Sequence, residues 1–339
     1  AVYAEASYPS YDANDYGATA DGNANLFLDP VVSDVYEPGS VFKLFTTIAA
    51  LETGTANLQS KFKDTGHLTL DGGAARIQDA DHRAMGVMKL QDAVAFSRNV
   101  VLAKVALGLA PTIDESSDIL HSVWTRFGFG QPTGIDVSGE VPGLVNDPAI
   151  SAWRQIDLAN GAFGQGVAVT PIQLATAYAA MCNGGLLVQP HVVDAIDGKP
   201  VTVASRGQVM DSALTPTLEG LMHHVLTISW YRDDVRMPGY WMGGKTGTAQ
   251  IWDAKARRWL TNRLNFSFVG FVGRQIGHPD LIVAVKIGAA RPAIGIDGSL
   301  ILKIKPTELF RRLATDAYLT PGLLPALPVE DVPTARLGG

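Results

Sequence analysis

Tyr36-Glu37-Pro38-Gly39-Ser40-Val41-Phe42-Lys43-Leu44-Phe45-Thr46-Thr47-Ile48 is where the chain changes character. The residues before it are turn-rich, punctuated by Tyr8-Pro9-Ser10, Asp12-Ala13-Asn14-Asp15 and Asp21-Gly22-Asn23, and read as a surface lead-in that begins with a strand over residues 2–7. From Ser40 onward, Val41, Leu44, Phe45 and Ile48 fall at helical spacing and Gly54 supplies a stop, so an amphipathic helix is predicted to start at Ser40. A Pro-Gly turn leading into such a helix places Ser40 and Lys43, three residues apart, on one face about one turn from each other.

Working outward from this helix, residues 67–70 alternate as a short strand. Apolar helical patterns then cover 90–96, 100–109 and 119–127, with Ser97-Arg98-Asn99 in the break between the first two. A long Gly/Pro loop runs over 128–147. Thr170 is placed to cap a helix that has Pro171 at its first position, continues through Met181 and ends before Gly184-Gly185. The last third reads as sheet over 243–251, 265–273 and 281–289, the latter two joined as an antiparallel hairpin, followed by a helix over 306–317. This order predicts an α+β fold in which an antiparallel sheet is covered by helices, with one folded domain over 1–320 and a Pro-rich tail over 321–339.

Composition removes several classes of function. With 33 acidic and 27 basic residues, a net charge of -6 and no Lys/Arg-rich block, the chain lacks the electrostatic footprint of a nucleic-acid binder. Cys182 is the single cysteine, which excludes an intrachain disulfide and a cysteine-based metal site, and it is expected to act as a small buried hydrophobe. The longest strongly apolar stretch, 281–287, is interrupted by Lys286 and is too short to span a bilayer. His223-His224 and the group Asp79, Asp81 and His82 show no recognised ligand spacing, so no metal and no cofactor is expected. Trp241 and Trp252 flank the first of the late strands and are expected to pack in the core.

Three short motifs carry chemistry. A serine hydroxyl is a poor nucleophile at neutral pH and needs a nearby base; a lysine serves if burial or a second cation keeps its amine neutral. Ser-x-x-Lys occurs twice, at Ser40/Lys43 and at Ser60/Lys63, and only the first opens an apolar helix, where the dipole and free N–H groups favour a developing oxyanion. Ser97 and Asn99 add a hydroxyl and a carboxamide between two helices. Lys245-Thr246-Gly247-Thr248 adds a cation and two hydroxyls on a strand after Gly243-Gly244, suited to holding a carboxylate. Singly, each has a plainer reading as a cap, a solvated lysine or a polar edge strand. In this order and setting, the three form the set used by penicillin-binding proteins and class A β-lactamases.

On these motifs the chain resembles the class B penicillin-binding proteins, the peptidoglycan D,D-transpeptidases. The likeness extends through Tyr8-Pro9-Ser10-Tyr11-Asp12, the run from Phe127 to Asp136 with Gly139-Glu140, the run from Gly164 to Ala175, Lys245-Thr246-Gly247-Thr248-Ala249-Gln250 and Phe266-Ser267-Phe268-Val269-Gly270-Phe271. The resemblance implies an antiparallel sheet sandwiched by helices beside an all-helical lobe, the β-lactamase/transpeptidase-like fold, with its first strand truncated here. It implies Ser40 as nucleophile, Lys43 as base, Ser97 as proton relay and Asn99 as the holder of the substrate amide and Lys43. Lys245 is implied as the second cation, Thr246, Gly247 and Thr248 as the carboxylate and substrate edge, and the backbone N–H groups of Ser40 and Thr248 as the oxyanion hole. Peptidoglycan stem peptides and β-lactam antibiotics are the implied ligands, with a membrane glycosyltransferase as partner. The implied location is the extracytoplasmic side of the cell envelope, anchored by a transmembrane helix upstream of Ala1. A class D-like β-lactamase or a penicillin-sensing receptor is the competing reading.

Overall fold

In the computed structural model, residues 1–253, 255–295 and 300–324 are described. Three long strands, Trp241–Asp253, Arg258–Gly273 and Leu281–Ala290, form an antiparallel sheet with Arg258–Gly273 in the centre. Side chains alternate between its faces, as the pleat requires. Val269 and Phe271 face the large core that contains Leu218, Leu221, Met222 and Val225 of helix Thr215–Ile228, while Phe268 and Val272 face Phe310 and Ala314 of helix Pro306–Leu319. Two apolar faces need two covers, and the helices on either side supply them.

The large core continues without a break into a helical lobe built around helix Lys43–Thr53. The side chains of Phe42, Phe45, Trp124, Phe127 and Phe129 meet in tilted and edge-on pairs with centroids 4.7–5.6 Å apart. Helices Asn99–Leu107 and Ile113–Arg126 pack on it, Leu90–Ala95 and Gln155–Gly161 pack on those in turn, and helix Pro171–Cys182 bridges lobe and sheet. Thr170 caps that last helix reciprocally with Gln173. The predicted α+β sandwich with its helical lobe is therefore the observed fold.

Several local expectations change. Residues 2–7 do not form a strand: Val2 N–H donates to His191 O at 2.8 Å, and among the described residues no ladder follows along the rest of the segment. The lead-in holds a short exposed helix, Tyr16–Asn23, capped by Asp15, where the sequence shows only turn residues. Helix Thr215–Ile228 was not expected, since Gly220 and the His223-His224 pair interrupt its apolar pattern. Trp252 is half-exposed and packs edge-on against Trp259 near the hairpin tip rather than in the core, whereas Trp241 does pack against the large core, beside Phe271 and stacked on His223. Burial pushes the Cys182 thiol up, away from the reactive thiolate. Of the tail over 321–339, residues 325–339 lie outside the described residues.

Candidate active site

Ser40 sits in a single 3-10 turn, Gly39–Phe42, that runs directly into helix Lys43–Thr53. Gly39 has φ +61°, and a Cβ there would stand 2.6 Å from Thr248 O; a Cβ on Gly247 would stand 2.6 Å from Pro38 O. The turn and the sheet edge thus touch through backbone, which only glycine at both positions allows. Beneath the turn, Gly39 N–H donates to Gly164 O at 3.0 Å, Gly166 N–H donates to Glu37 Oε1 at 2.9 Å, and Tyr178 OH donates to Val41 O at 2.8 Å.

Three motif side chains converge on the Ser97 hydroxyl. Ser97 Oγ lies 2.7 Å from Ser40 Oγ, 3.0 Å from Lys43 Nζ and 3.1 Å from Lys245 Nζ. Lys43 Nζ also donates to Ser97 O at 2.5 Å and to Asn99 Oδ1 at 2.8 Å. No hydrogen bond joins Lys43 to Ser40 directly; the Ser97 hydroxyl stands between them. Lys245 further reaches Thr246 O at 3.1 Å and Thr246 Oγ1 at 3.5 Å; Thr246 Oγ1 is also 3.5 Å from the hydroxyl of buried Tyr231. Thr248 is exposed one step along the edge, beyond buried Gly247.

Both lysines are fully buried. Burial, then the like charge of Lys245, holds Lys43 well below the usual lysine value, and burial brings Lys245 down to about 7. This lowering favours the neutral amine, and the acceptors around Lys43 set how that amine would be oriented. Ser97 O and Asn99 Oδ1 have no proton to give, so in the neutral form the two N–H bonds of the amine go to them and the lone pair is left for Ser97 Oγ. Ser97 Oγ accepts from Lys43 and Lys245 and donates to Ser40 Oγ; once Lys43 is neutral, the two hydroxyl protons can turn so that Ser97 accepts from Ser40 and donates to Lys43. This arrangement can carry a proton from the Ser40 hydroxyl to an amine two hydrogen bonds away.

The Ser97 turn is itself unusual. Ser97 has φ +59°, a left-handed conformation that costs a non-glycine residue of order 1–3 kcal/mol. The neighbouring Arg98 is buried and ion-paired to Asp64 at 2.8 Å, Asp81 at 2.9 Å and Asp79 at 3.2 Å. Asp79 accepts the N–H groups of Asn99 at 2.5 Å and Val100 at 3.2 Å, which caps helix Asn99–Leu107. Asp79 and Asp81 are therefore partners of a guanidinium. The roles of Arg98 and Asp64 were not legible from spacing; a basic residue inside Ser-x-Asn with acidic residues upstream was the only signal. His223 Nδ1 lies 2.7 Å from Met242 O and His224 Nε2 lies 2.8 Å from Asp92 Oδ1. At the second Ser-x-x-Lys, Ser60 Oγ accepts from Asn57 N–H at 2.9 Å to close a turn, and Lys63 is exposed on strand Lys61–Asp64.

The sandwich thus carries a half-buried serine and two fully buried lysines beside one edge of its sheet. The family model of the penicillin binding protein transpeptidase domain matches residues 1–298, and the chain belongs to that family. It is 33% identical over 306 residues to stage V sporulation protein D of Bacillus subtilis, covering 88% of this chain and 45% of the relative. To peptidoglycan D,D-transpeptidase FtsI of Escherichia coli it is 29% identical, covering 74% and 39%. Among solved structures it resembles penicillin binding protein 3 of Mycobacterium tuberculosis complexed with aztreonam, with TM-score 0.74, 25% identity, and 90% of this chain and 66% of that one covered. The chain thus spans less than half the length of these two curated relatives.

Proposed function

We propose that this domain is a peptidoglycan D,D-transpeptidase that works through an acyl-enzyme on Ser40. The observation that carries the reading is the position of Ser97 Oγ, within hydrogen-bond reach of the Ser40 hydroxyl and of both buried lysines. Ser40 Oγ attacks the penultimate D-Ala carbonyl of a stem peptide as its proton passes through Ser97 to Lys43. The N–H groups of Ser40 and Thr248 hold the oxyanion, while Lys245, Thr246 and Thr248 hold the terminal carboxylate. Collapse breaks the peptide bond and returns the proton, through Ser97, to the departing D-Ala amine. An amine of a second stem peptide then attacks the ester, forming the cross-link and freeing Ser40. Similar structures complexed with aztreonam and ampicillin support β-lactams as ligands of this domain.

Incubation with a fluorescent penicillin is expected to label the protein once per chain, at Ser40, with an adduct that outlasts hours. Rapid hydrolysis of the antibiotic would instead make the domain a β-lactamase, and a folded protein that takes no label would overturn both readings. The reading places the domain in the cell envelope, on the extracytoplasmic side, with an anchor and a membrane glycosyltransferase partner engaged through residues upstream of Ala1. Among the described residues no helix is long and apolar enough to cross a membrane.

The two lysines set the pH dependence. Acylation needs Lys43 neutral and Lys245 charged, so its rate rises with pH as Lys43 loses its proton and falls as Lys245 loses its own, the two limbs belonging to the coupled pair. Lys245→Met removes the like charge that helps keep Lys43 neutral. Its acidic limb is expected to move to higher pH and its alkaline limb to disappear, as read from second-order acylation rates between pH 5 and 9. An unmoved acidic limb would show that Lys245 does not tune Lys43.

A further inference from the structure

We infer that Arg98 and Asp79 are positioning residues for this acylation: together they lock the Ser97–Asn99 turn onto Lys43 and balance the charge that faces its amine. The inference rests on the transpeptidase reading of Ser40 and Lys43. Its geometric basis is a continuous chain of contacts. Arg98 Nε, Nη1 and Nη2 each face a different carboxylate, Asp64, Asp81 and Asp79 in turn, and Nη2 also donates to Arg83 O. Asp64 is anchored in its turn by the N–H groups of Gly66 at 2.8 Å and Met85 at 3.0 Å. Arg98 N–H donates to Ala93 O at 2.8 Å, so the residue is tied at both its backbone and its head.

The Ser97 carbonyl and hydroxyl reach Lys43 only because the backbone at Ser97 is left-handed, and nothing in its own side chain favours that conformation. The clamp lies one residue further on. Asp79 takes the first two N–H groups of the following helix, which fixes where Asn99 begins and therefore where Oδ1 meets Lys43. A guanidinium suits this place because its planar fork serves three acceptors from one rigid group, which an ammonium does not.

Charge is the second half of the inference. The charged groups facing Lys43 are Lys245 from the sheet edge, Asp79 from the segment after strand Ala75–Gln78, and Arg98 from the turn. Asp79 favours the lysine ammonium, whereas Lys245 and Arg98 favour the neutral amine. Burial, followed by the neighbouring Asp64, pushes the Asp79 carboxyl up, while the Val100 N–H and Arg98 hold it down. Arg98 thus favours the ionised form of Asp79 against burial and Asp64, and offsets the effect of that charge on Lys43.

The test is the pH profile of acylation by a fluorescent penicillin for four proteins: wild type, Arg98→Gln, Arg98→Lys and Asp79→Asn. Arg98→Gln leaves Asp79 unbalanced, so Lys43 holds its proton to higher pH. The acidic limb is expected to move up by about one pH unit, roughly a tenfold loss of rate at any pH below it. Asp79→Asn keeps an oxygen for the two N–H groups but removes the charge, and its limb is expected to move down. Arg98→Lys keeps the charge and loses the fork, so the limb stays in place while the plateau rate falls. Rates are taken per active site, from burst labelling, so that partial unfolding changes amplitude and leaves the profile alone. Superimposable limbs in Arg98→Gln and Asp79→Asn would overturn the inference. Should Arg98→Gln fail to fold, the Asp79→Asn and Arg98→Lys profiles decide it alone, an unmoved limb in Asp79→Asn counting against it. A wild-type protein that is not labelled at Ser40 would instead remove the transpeptidase reading beneath it.

Discussion

Ser40→Ala is expected to abolish covalent labelling by a fluorescent penicillin, while Ser60→Ala leaves the rate of labelling unchanged. Both serines stand three residues before a lysine, so the pair of variants isolates surroundings from spacing. Ser60 spends its hydroxyl on a turn, and its lysine is solvated on a strand, with no buried amine to take a proton. Ser40 is half-buried, 2.7 Å from a hydroxyl that two buried lysines also reach. Removing the nucleophile of a serine enzyme costs about 10^6-fold in turnover, because the remaining groups have nothing to activate. The loss should come with little stability penalty: among the described residues Ser40 Oγ bonds to Ser97, and removing a half-exposed hydroxyl costs about 1 kcal/mol. Thermal unfolding of the two variants should therefore match the wild type within a few degrees, and a mass spectrum of the labelled protein locates the adduct. An adduct on Ser40→Ala at the wild-type rate would refute the assignment.

Much of this site was legible in the sequence because each motif is local while the local structure around it is strongly written. Val41, Leu44, Phe45 and Ile48 specify the helix that carries Lys43, and the β-branched and aromatic pattern around Lys245 specifies the strand. Two features escaped for physical reasons. The placement of the Ser97 hydroxyl between Ser40 and Lys43 depends on how helix Lys43–Thr53 and the Ser97 turn lie against each other, a tertiary relation that no spacing encodes. The Arg98 cluster joins residues 64, 79, 81 and 98 across two separate strand pairs, and an acidic residue in a Gly/Asp-rich stretch looks like any turn former until its partner is seen. The false strand over 2–7 has the opposite cause: alternation describes a strand's side chains, but a strand exists only where a neighbour takes its backbone groups.

Gly164→Ala should produce the second largest effect, and it should act on structure and chemistry together. Gly164 has φ +80°, and a Cβ there would fall 2.8 Å from Gly39 N and from Phe42 Cβ, and closer still to Gly39 O. Two penalties therefore add. The left-handed backbone costs an alanine about 1–2 kcal/mol, and forcing a methyl into packed backbone costs about 1–3 kcal/mol more. The neighbours cannot give way cheaply, because the Gly39 turn is held on its other side by the sheet edge, where Gly39 and Gly247 already meet Thr248 and Pro38 through backbone. Relief comes only by lifting the turn, which breaks the bond from Gly39 N–H to Gly164 O and moves Ser40 away from Ser97. A displacement of about 1 Å at a reacting group costs on the order of 10²-fold in rate. The expected result is a drop of several degrees in melting temperature together with about a hundredfold slower acylation of the protein that remains folded. Gly166→Ala separates the two contributions. Its φ of +74° imposes the same backbone strain, yet a Cβ there meets nothing within 4 Å. It should lose stability without losing acylation rate, and equal rate losses in the two variants would show that the turn is not held in place by close packing at Gly164.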